Sequence, residues 1–121
     1  MAGNQHGAVA VVDDDPGVRD SLKFLLEVAG HRVGTYDSAV AFLEDRTLRP
    51  ACLILDQHMP QVSGLDLAAR LRTQGSGIPI LLISGALSPG IVARAAELGI
   101  EKVLGKPPTE DELLGFVNAY A

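Results

Sequence analysis

The sequence contains no tryptophan, and aromatic residues make up only 4% of the chain. A hydrophobic core must therefore be built mainly from aliphatic side chains, within a composition that is 47% hydrophobic. Cysteine occurs only once, at Cys52, which excludes a disulfide within the chain and favours a buried free thiol in a reducing compartment. A chain of 121 residues is long enough to fold as one domain without a disulfide or a structural metal.

Basic residues are also scarce, with 10 Lys and Arg against 15 Asp and Glu and a net charge of −5. This balance argues against a surface that binds nucleic acid directly. The apolar runs are too short to span a bilayer, and the N-terminus lacks the basic segment of a signal peptide. We therefore expect a cytoplasmic protein that does not contact membranes, with residues 1–121 as one domain and residues 1–7 as a disordered tail.

Short apolar runs alternate with segments of helical periodicity along the whole chain. Asp15 before Pro16 predicts the start of the first helix, and Gly30 predicts its end. Thr109 and Glu112 form the capping box of the last helix. The second helix is predicted from about Ser38 to Asp45. The predicted strands are 8–12, 32–36, 52–55, 79–83 and 102–104.

Five strand–helix units in this order predict a doubly wound parallel α/β sheet with right-handed connections. We expect the strand order 2-1-3-4-5, with two helices on one face and three on the other. Sheets of this kind bind ligands at the carboxyl ends of their strands, where the strand order reverses. The residues that follow each strand are therefore the candidates for a functional site.

Four of the five strands are followed by polar residues that suit one site. Asp13 and Asp14 follow the first strand, Asp56 the third, Ser84 the fourth and Lys106 the fifth. Each alone is more often a capping or surface residue, and only their joint placement at one edge of the sheet indicates a function. Asp15 is assigned instead to capping the helix that begins at Pro16.

The charges at this edge indicate a metal ion. Two carboxylates about 4 Å apart repel by about 4 kcal/mol at an effective dielectric constant of about 20. Asp13, Asp14 and Asp56 carry three negative charges and Lys106 one positive charge, so a divalent cation would neutralise the group. Oxygen ligands favour Mg²⁺ or Mn²⁺. A carboxylate beside such an ion can attack a phosphoryl group and form an aspartyl phosphate.

With these residues in place, residues 8–120 resemble the receiver domain of bacterial two-component response regulators. The resemblance implies a flavodoxin-like fold of five βα units, and it is closest to the nitrogen-fixation-type transcriptional regulators. Five motifs at successive strand ends carry it: Val11-Val12-Asp13-Asp14-Asp15, Leu55-Asp56-Gln57-His58-Met59-Pro60, Ser63-Gly64, Ile83-Ser84-Gly85 and Gly105-Lys106-Pro107.

The resemblance implies a role for each matching residue. Asp56 would be the phosphoacceptor, and it would bind Mg²⁺ together with Asp13, Asp14 and the carbonyl oxygen of His58. The phosphoryl donor would be a phosphohistidine of a sensor histidine kinase or a phosphotransfer protein. The domain would catalyse only its own phosphorylation and dephosphorylation, and it would not otherwise be an enzyme.

The same resemblance implies how the signal leaves the site. Ser84 would be the switch hydroxyl that moves towards the phosphoryl group. Lys106 would pair with that group and would be held by a cis peptide before Pro107. The surface formed by the fourth helix, the fifth strand and the fifth helix would then change its binding to a downstream protein. The chain would be either a stand-alone receiver or a part of a longer regulator.

Three positions depart from the family pattern. Val103 stands where receivers usually carry an aromatic residue, Pro108 stands where phenylalanine is usual, and His58 is a bulky residue two positions after the phosphoacceptor. None of these changes removes a residue assigned to the chemistry. They concern the switching part of the mechanism.

Two other functions fit parts of the pattern. A haloacid-dehalogenase-like phosphatase would use Asp13 as nucleophile and Asp15 as acid, but it would leave Asp56 without a role. It would also need an acidic pair after the lysine, whereas Asp111 falls in the first turn of the last predicted helix. The third possibility is a receiver-like interaction module that is never phosphorylated, and a missing acidic or lysine position would favour it.

Overall fold

The computed structural model describes residues 7–121. It contains five parallel strands in the order β2-β1-β3-β4-β5, which confirms the predicted strand order. The elements in chain order are β1 (Ala8–Val12), α1 (Pro16–Val28), β2 (Val33–Tyr36), α2 (Ala39–Glu44), β3 (Pro50–Asp56), α3 (Gly64–Thr73), β4 (Ile80–Ser84), α4 (Pro89–Glu97), β5 (Lys102–Gly105) and α5 (Glu110–Tyr120).

The predicted N-terminal tail lies almost entirely outside the described residues. Only its last residue, Gly7, is described, and it packs closely against Ala51. Within residues 7–121, no helix is long and apolar enough to cross a membrane.

The central strands β1, β3 and β4 are buried on both faces, as their continuous apolar sequences predict. Alternate residues along each strand point to opposite faces, so the sheet separates two aliphatic cores. One core lies under α1 and α5 and includes Val11, Ile54 and Ile83. The other lies under α2, α3 and α4 and includes Leu55 and Leu82. The predicted arrangement of two helices on one face and three on the other is therefore confirmed.

The helix starts follow the predicted capping residues. Asp15 accepts hydrogen bonds from the backbone N–H groups of Gly17 and Val18 at the start of α1. Thr109 and Glu112 form the predicted capping box of α5. Strand ends differ from the prediction by one or two residues. The largest difference is in β3, because its parallel ladder extends from Pro50 to Asp56.

The spacing of Ile91, Val92, Ala95 and Leu98 predicts that they share one face of α4, but Val92 does not pack with the others. It is 49% exposed, because the helix packs on the sheet through Ile91, Ala95 and Leu98. Cys52 has the predicted burial, and burial raises the pKa of its thiol to about 11.

Gly64 allows α3 to start directly against the end of β3. A Cβ atom at this position would lie 2.6 Å from the carbonyl oxygen of Asp56 and 3.0 Å from the Cα atom of Gln57. Both neighbours are backbone atoms that cannot move without displacing the strand end. The glycine therefore fixes how closely α3 approaches the backbone that carries Asp56.

We expect Gly64→Ala to lower the free energy of unfolding by about 1–3 kcal/mol, because the added methyl group overpacks this junction. Gly115→Ala is the matched control, because its Cβ atom meets no neighbour within 4 Å. In the middle of α5, that change should raise the free energy of unfolding by about 0.5–1 kcal/mol. Urea unfolding of both variants measures the difference, and equal effects would show that the Gly64 junction can relax.

Candidate functional site

The carboxyl ends of four strands bring the sequence-predicted residues together at one edge of the sheet. Asp13 follows β1, Asp56 ends β3, Ser84 ends β4 and Lys106 follows β5. Backbone hydrogen bonds extend the ladder past the strand ends, from Asp13 N–H to the Tyr36 carbonyl and from Lys106 N–H to the Ser84 carbonyl. These bonds hold the backbone of the site residues in the register of the sheet.

Three carboxylates form an acidic cluster at this edge. Asp13, Asp14 and Asp56 each present an oxygen atom, and these three atoms lie within 4.8 Å of one another. Asp13 and Asp56 are 3% and 2% exposed, whereas Asp14 is exposed to solvent. Two members of the cluster are thus shielded from water, and the third closes it on the solvent side.

Lys106 supplies a positive charge to the cluster. Its Nζ atom lies 2.9 Å from Oδ1 of Asp56. Burial lowers the pKa of Lys106, but the hydrogen bond and charge of Asp56, with the charges of Asp13 and Asp14, outweigh burial and hold that pKa above its ordinary value. The peptide bond between Lys106 and Pro107 is cis, as expected. The lysine is therefore a charged partner of Asp56.

Asp13 has a raised pKa. Burial is the largest cause, and the neighbouring charges of Asp56 and Asp14 act in the same direction. The hydrogen bond from the Asp15 backbone N–H to Asp13 Oδ1, at 2.9 Å, and the charge of Lys106 act against this increase. Burial and the neighbouring negative charges therefore outweigh the hydrogen bond and the charge of Lys106 in setting the pKa of Asp13.

Asp15 does not join the cluster. Its side-chain oxygen Oδ1 accepts the N–H groups of Gly17 and Val18, at 2.8 and 3.3 Å. The carboxylate is therefore directed to the first turn of α1. The division of the acidic triplet into Asp13 and Asp14 on one side and Asp15 on the other agrees with the sequence prediction.

The donor set fits a hard divalent cation. All three side chains offer carboxylate oxygens, which Mg²⁺ and Mn²⁺ prefer. Apart from Lys106, no donor among the described residues reaches the buried Oδ1 atom of Asp56. The single positive charge of Lys106 therefore faces three carboxylates at this edge, and a cation bound beside Asp56 would offset the remaining negative charge.

Ser84 is fully buried, and its hydroxyl oxygen has two neighbours. The backbone N–H of Ala86 donates to Oγ at 3.2 Å, and Nε2 of His58 lies 3.0 Å from the same atom. Neither hydrogen bond of Ser84 is made to Asp56. The sequence pointed to the carbonyl oxygen of His58, and it gave no signal for this contact of the imidazole ring.

Comparison with known proteins agrees with this geometry. A family model described as the response regulator receiver domain matches residues 9–118. The chain belongs to the response regulator receiver domain family. Receiver domains are signalling modules of two-component systems rather than classical enzymes, and phosphorylation on aspartate is typical of them.

Individual relatives support the same family. The response regulator protein TmoT of Ectopseudomonas mendocina is 39% identical over 95% of this chain and 53% of its own length. The transcriptional regulatory protein FixJ of Bradyrhizobium diazoefficiens is 37% identical over 93% of this chain and 56% of its own. The chain thus spans about half the length of these relatives. The match to FixJ agrees with the nitrogen-fixation-type subgroup.

A solved structure supports the fold. The chemotaxis protein CheY4 of Vibrio cholerae superposes with a TM-score of 0.85 and 25% sequence identity, over 96% of this chain and 99% of that one. The receiver fold therefore covers nearly the whole of the chain.

The receiver domain contains one further contact at the site that the sequence did not indicate. Arg19, one turn into α1, donates from its guanidinium group to the carbonyl oxygen of Asp13 at 2.7 Å. The bond ties the loop that carries the acidic pair to α1. The acceptor is a backbone carbonyl, which every residue has, so no pattern in the sequence could predict this contact.

The raised pKa of Asp13 gives a testable pH dependence of stability. The pKa of Asp13 in the folded protein lies above the ordinary value of 3.8. Ionising Asp13 therefore lowers the free energy of unfolding, and this loss develops as the pH rises through the folded-state pKa. Asp13→Asn removes this loss. In a metal-chelating buffer, the advantage of the variant over the parent should grow as the pH rises from 3.8 towards neutrality.

Urea unfolding of the parent and Asp13→Asn at a series of pH values measures this difference. An advantage that stays constant over the whole range would mean that the asparagine acts through packing rather than through charge.

Proposed function

We propose that this receiver domain is a phosphorylation-dependent signalling switch that accepts a phosphoryl group on Asp56. The observation that carries the proposal is the buried Asp56 carboxylate, whose Oδ1 atom lies 2.9 Å from Lys106 Nζ within the cluster formed with Asp13 and Asp14. Among the strand-end residues, only Asp56 combines burial, a cationic partner and two acidic neighbours. This combination suits a nucleophile that works beside a cation.

The donor in this proposal is a phosphohistidine on a sensor histidine kinase or a phosphotransfer protein. A carboxylate oxygen of Asp56 forms a bond to phosphorus while the bond from phosphorus to the donor imidazole breaks. Because Asp56 is only 2% exposed, the donor must approach along the edge of the sheet where Asp14 faces solvent. The family supports such partners and a cytoplasmic location, and we propose no direct contact with nucleic acid or membrane.

We propose that Mg²⁺ is held by Asp13, Asp14, Asp56 and the carbonyl oxygen of His58, with Mn²⁺ as an alternative. When bound, the cation would offset the charge of the cluster and bind phosphoryl oxygens. The carboxylates provide the binding set, and Arg19 fixes the backbone of Asp13 through its carbonyl oxygen. The position of His58 two residues after Asp56 places its main chain beside the same strand end.

The other site residues act on the phosphoryl group by charge and hydrogen bonding. Lys106 pairs with Asp56 before the reaction, and it remains close enough to pair with the phosphoryl oxygens afterwards. Ser84 ends the neighbouring strand and would donate its hydroxyl to another phosphoryl oxygen. Both contributions are electrostatic positioning, which dominates phosphoryl transfer.

We propose that the signal leaves through the face formed by α4, β5 and α5. The loop after Ser84 contains Leu87, which is 47% exposed, and α4 contains Val92, which is 49% exposed. Exposed apolar side chains in this loop and in the helix that follows it suit a surface whose binding to a protein partner changes with the position of the loop. We also propose that residues 1–121 form a single receiver domain.

The competing functions have weaker support. The phosphatase hypothesis needs Asp15 as an acid, but that carboxylate caps α1. It also needs a second acidic pair at the site, whereas Asp111 lies in the first turn of α5. A receiver-like module without phosphorylation would not need the paired Asp56 and Lys106, and it remains an outcome of the following experiment.

We expect acetyl phosphate with Mg²⁺ to add one phosphoryl group to the parent domain, as measured by intact-mass spectrometry. Asp56→Asn should abolish the addition, because the amide is not a nucleophile. A metal chelator should also abolish it. Labelling that survives Asp56→Asn and disappears in Asp13→Asn would favour the phosphatase hypothesis, and no labelling of the parent would favour an interaction module.

We expect Asp14→Asn to weaken Mg²⁺ binding about tenfold or more, which corresponds to about 1.4 kcal/mol. Asp15→Asn is the matched control, because asparagine caps helices as well as aspartate does. It should change Mg²⁺ affinity little. Calorimetric titration of Mg²⁺ into both variants decides the assignment, and equal losses of affinity would contradict the separation of Asp15 from the metal site.

A further inference from the structure

The contact between His58 and Ser84 joins the loop after β3 to the end of β4, just beyond the ladder in which Asp56 pairs with Ile83. His58 lies in the loop after β3 and is exposed to solvent, whereas Ser84 ends β4 and has no exposed surface. The Nε2 atom of His58 lies 3.0 Å from Ser84 Oγ. The imidazole is therefore the solvent-side partner of a buried hydroxyl.

The Ser84 hydroxyl has a limited capacity for hydrogen bonds. It carries one proton and two lone pairs, and Ala86 N–H already donates to its oxygen at 3.2 Å. Neither contact is directed to Asp56, whose Oδ1 atom has Lys106 Nζ as its donor at 2.9 Å. The competition is for the single proton of Ser84, which the hydroxyl can donate either to Nε2 of His58 or to a phosphoryl oxygen on Asp56, but not to both.

We infer that His58 is a positioning residue that holds the Ser84 hydroxyl in the resting arrangement and competes with the phosphoryl group for it. The inference rests on the proposed function, because it assigns a role to Ser84 within that function. His58 acts in this scheme through its side chain, and the carbonyl oxygen proposed as a metal ligand is retained in any substitution. The identity of residue 58 would thus set how readily the domain switches.

The size of the effect follows from the contribution of one hydrogen bond. A neutral hydrogen bond in a folded protein contributes a net free energy equivalent to a roughly three- to tenfold change in an equilibrium constant. Removing the imidazole should therefore favour the phosphoryl-bound arrangement of Ser84 by a factor of that order. The effect requires the hydroxyl, and it should be absent when Ser84 is replaced by alanine.

The test is a double-mutant cycle with beryllofluoride and Mg²⁺ as the phosphoryl analogue. The measurement is the beryllofluoride concentration at half-saturation, read from the Ala86 amide signal in two-dimensional NMR spectra. The variants are the parent, His58→Ala, Ser84→Ala and the double variant. His58→Gln is added as the conservative variant, because its side-chain amide can hydrogen-bond to the same hydroxyl.

We expect His58→Ala to lower the half-saturation concentration by roughly three- to tenfold, and His58→Gln to remain close to the parent. In the Ser84→Ala background, His58→Ala should have no effect. An unchanged or raised half-saturation concentration in His58→Ala would overturn the inference. An equal decrease in both backgrounds would also overturn it, because the imidazole would then act independently of Ser84.

The same data separate this inference from the proposed function. If the parent binds beryllofluoride and the cycle shows no coupling, the role of His58 is wrong while the phosphoacceptor site stands. If the parent does not bind beryllofluoride in the presence of Mg²⁺, the proposed function fails and the role of His58 fails with it.

Discussion

The site depends on keeping three carboxylates together with one lysine at the edge of a buried sheet. Each pair of carboxylates about 4 Å apart costs about 4 kcal/mol at an effective dielectric constant of about 20. The ion pair between Lys106 and Asp56 offsets only part of this repulsion. The pKa of Asp13 is raised chiefly by burial, and the charges of Asp56 and Asp14 add to that increase. A bound cation or a charge-changing modification at this site therefore alters the electrostatic energy of all three carboxylates and of Lys106.

The fold supports this unfavourable cluster with interactions that lie outside it. Two aliphatic cores fix β1 and β3 from both faces, and Gly64 lets α3 approach the end of β3 closely. Asp15 places its carboxylate on the start of α1, which keeps a fourth negative charge out of the cluster. Arg19 holds the carbonyl oxygen of Asp13. The stability of the cores therefore compensates for the electrostatic cost of the site.

Sequence reasoning succeeded where a local pattern carries the structural information. Apolar runs located the buried strands, Pro16 identified Asp15 as a cap, and residues at strand ends predicted a common edge that unites Asp56 with Lys106. The contact of His58 with Ser84 was missed because it depends on side-chain rotamers of residues 26 positions apart. The exposure of Val92 was not predicted, because helical spacing shows which residues share a face but not how much of that face is packed.

If the domain switches as proposed, the absence of an aromatic residue at position 103 would give the position of Ser84 more weight in that change. Valine is short and restricted at χ1, so Val103 cannot sweep between an exposed and a buried position as a ring does. If about 50 Å² of apolar surface changed its exposure there, the bias would be only about 1 kcal/mol. Leu87, in the loop after Ser84, lies over Gly105, where a Cβ atom would be 3.6 Å from Leu87 Cδ1. A displacement of Ser84 would therefore be transmitted to β5 through this loop. His58, which contacts the Ser84 hydroxyl, would control that displacement.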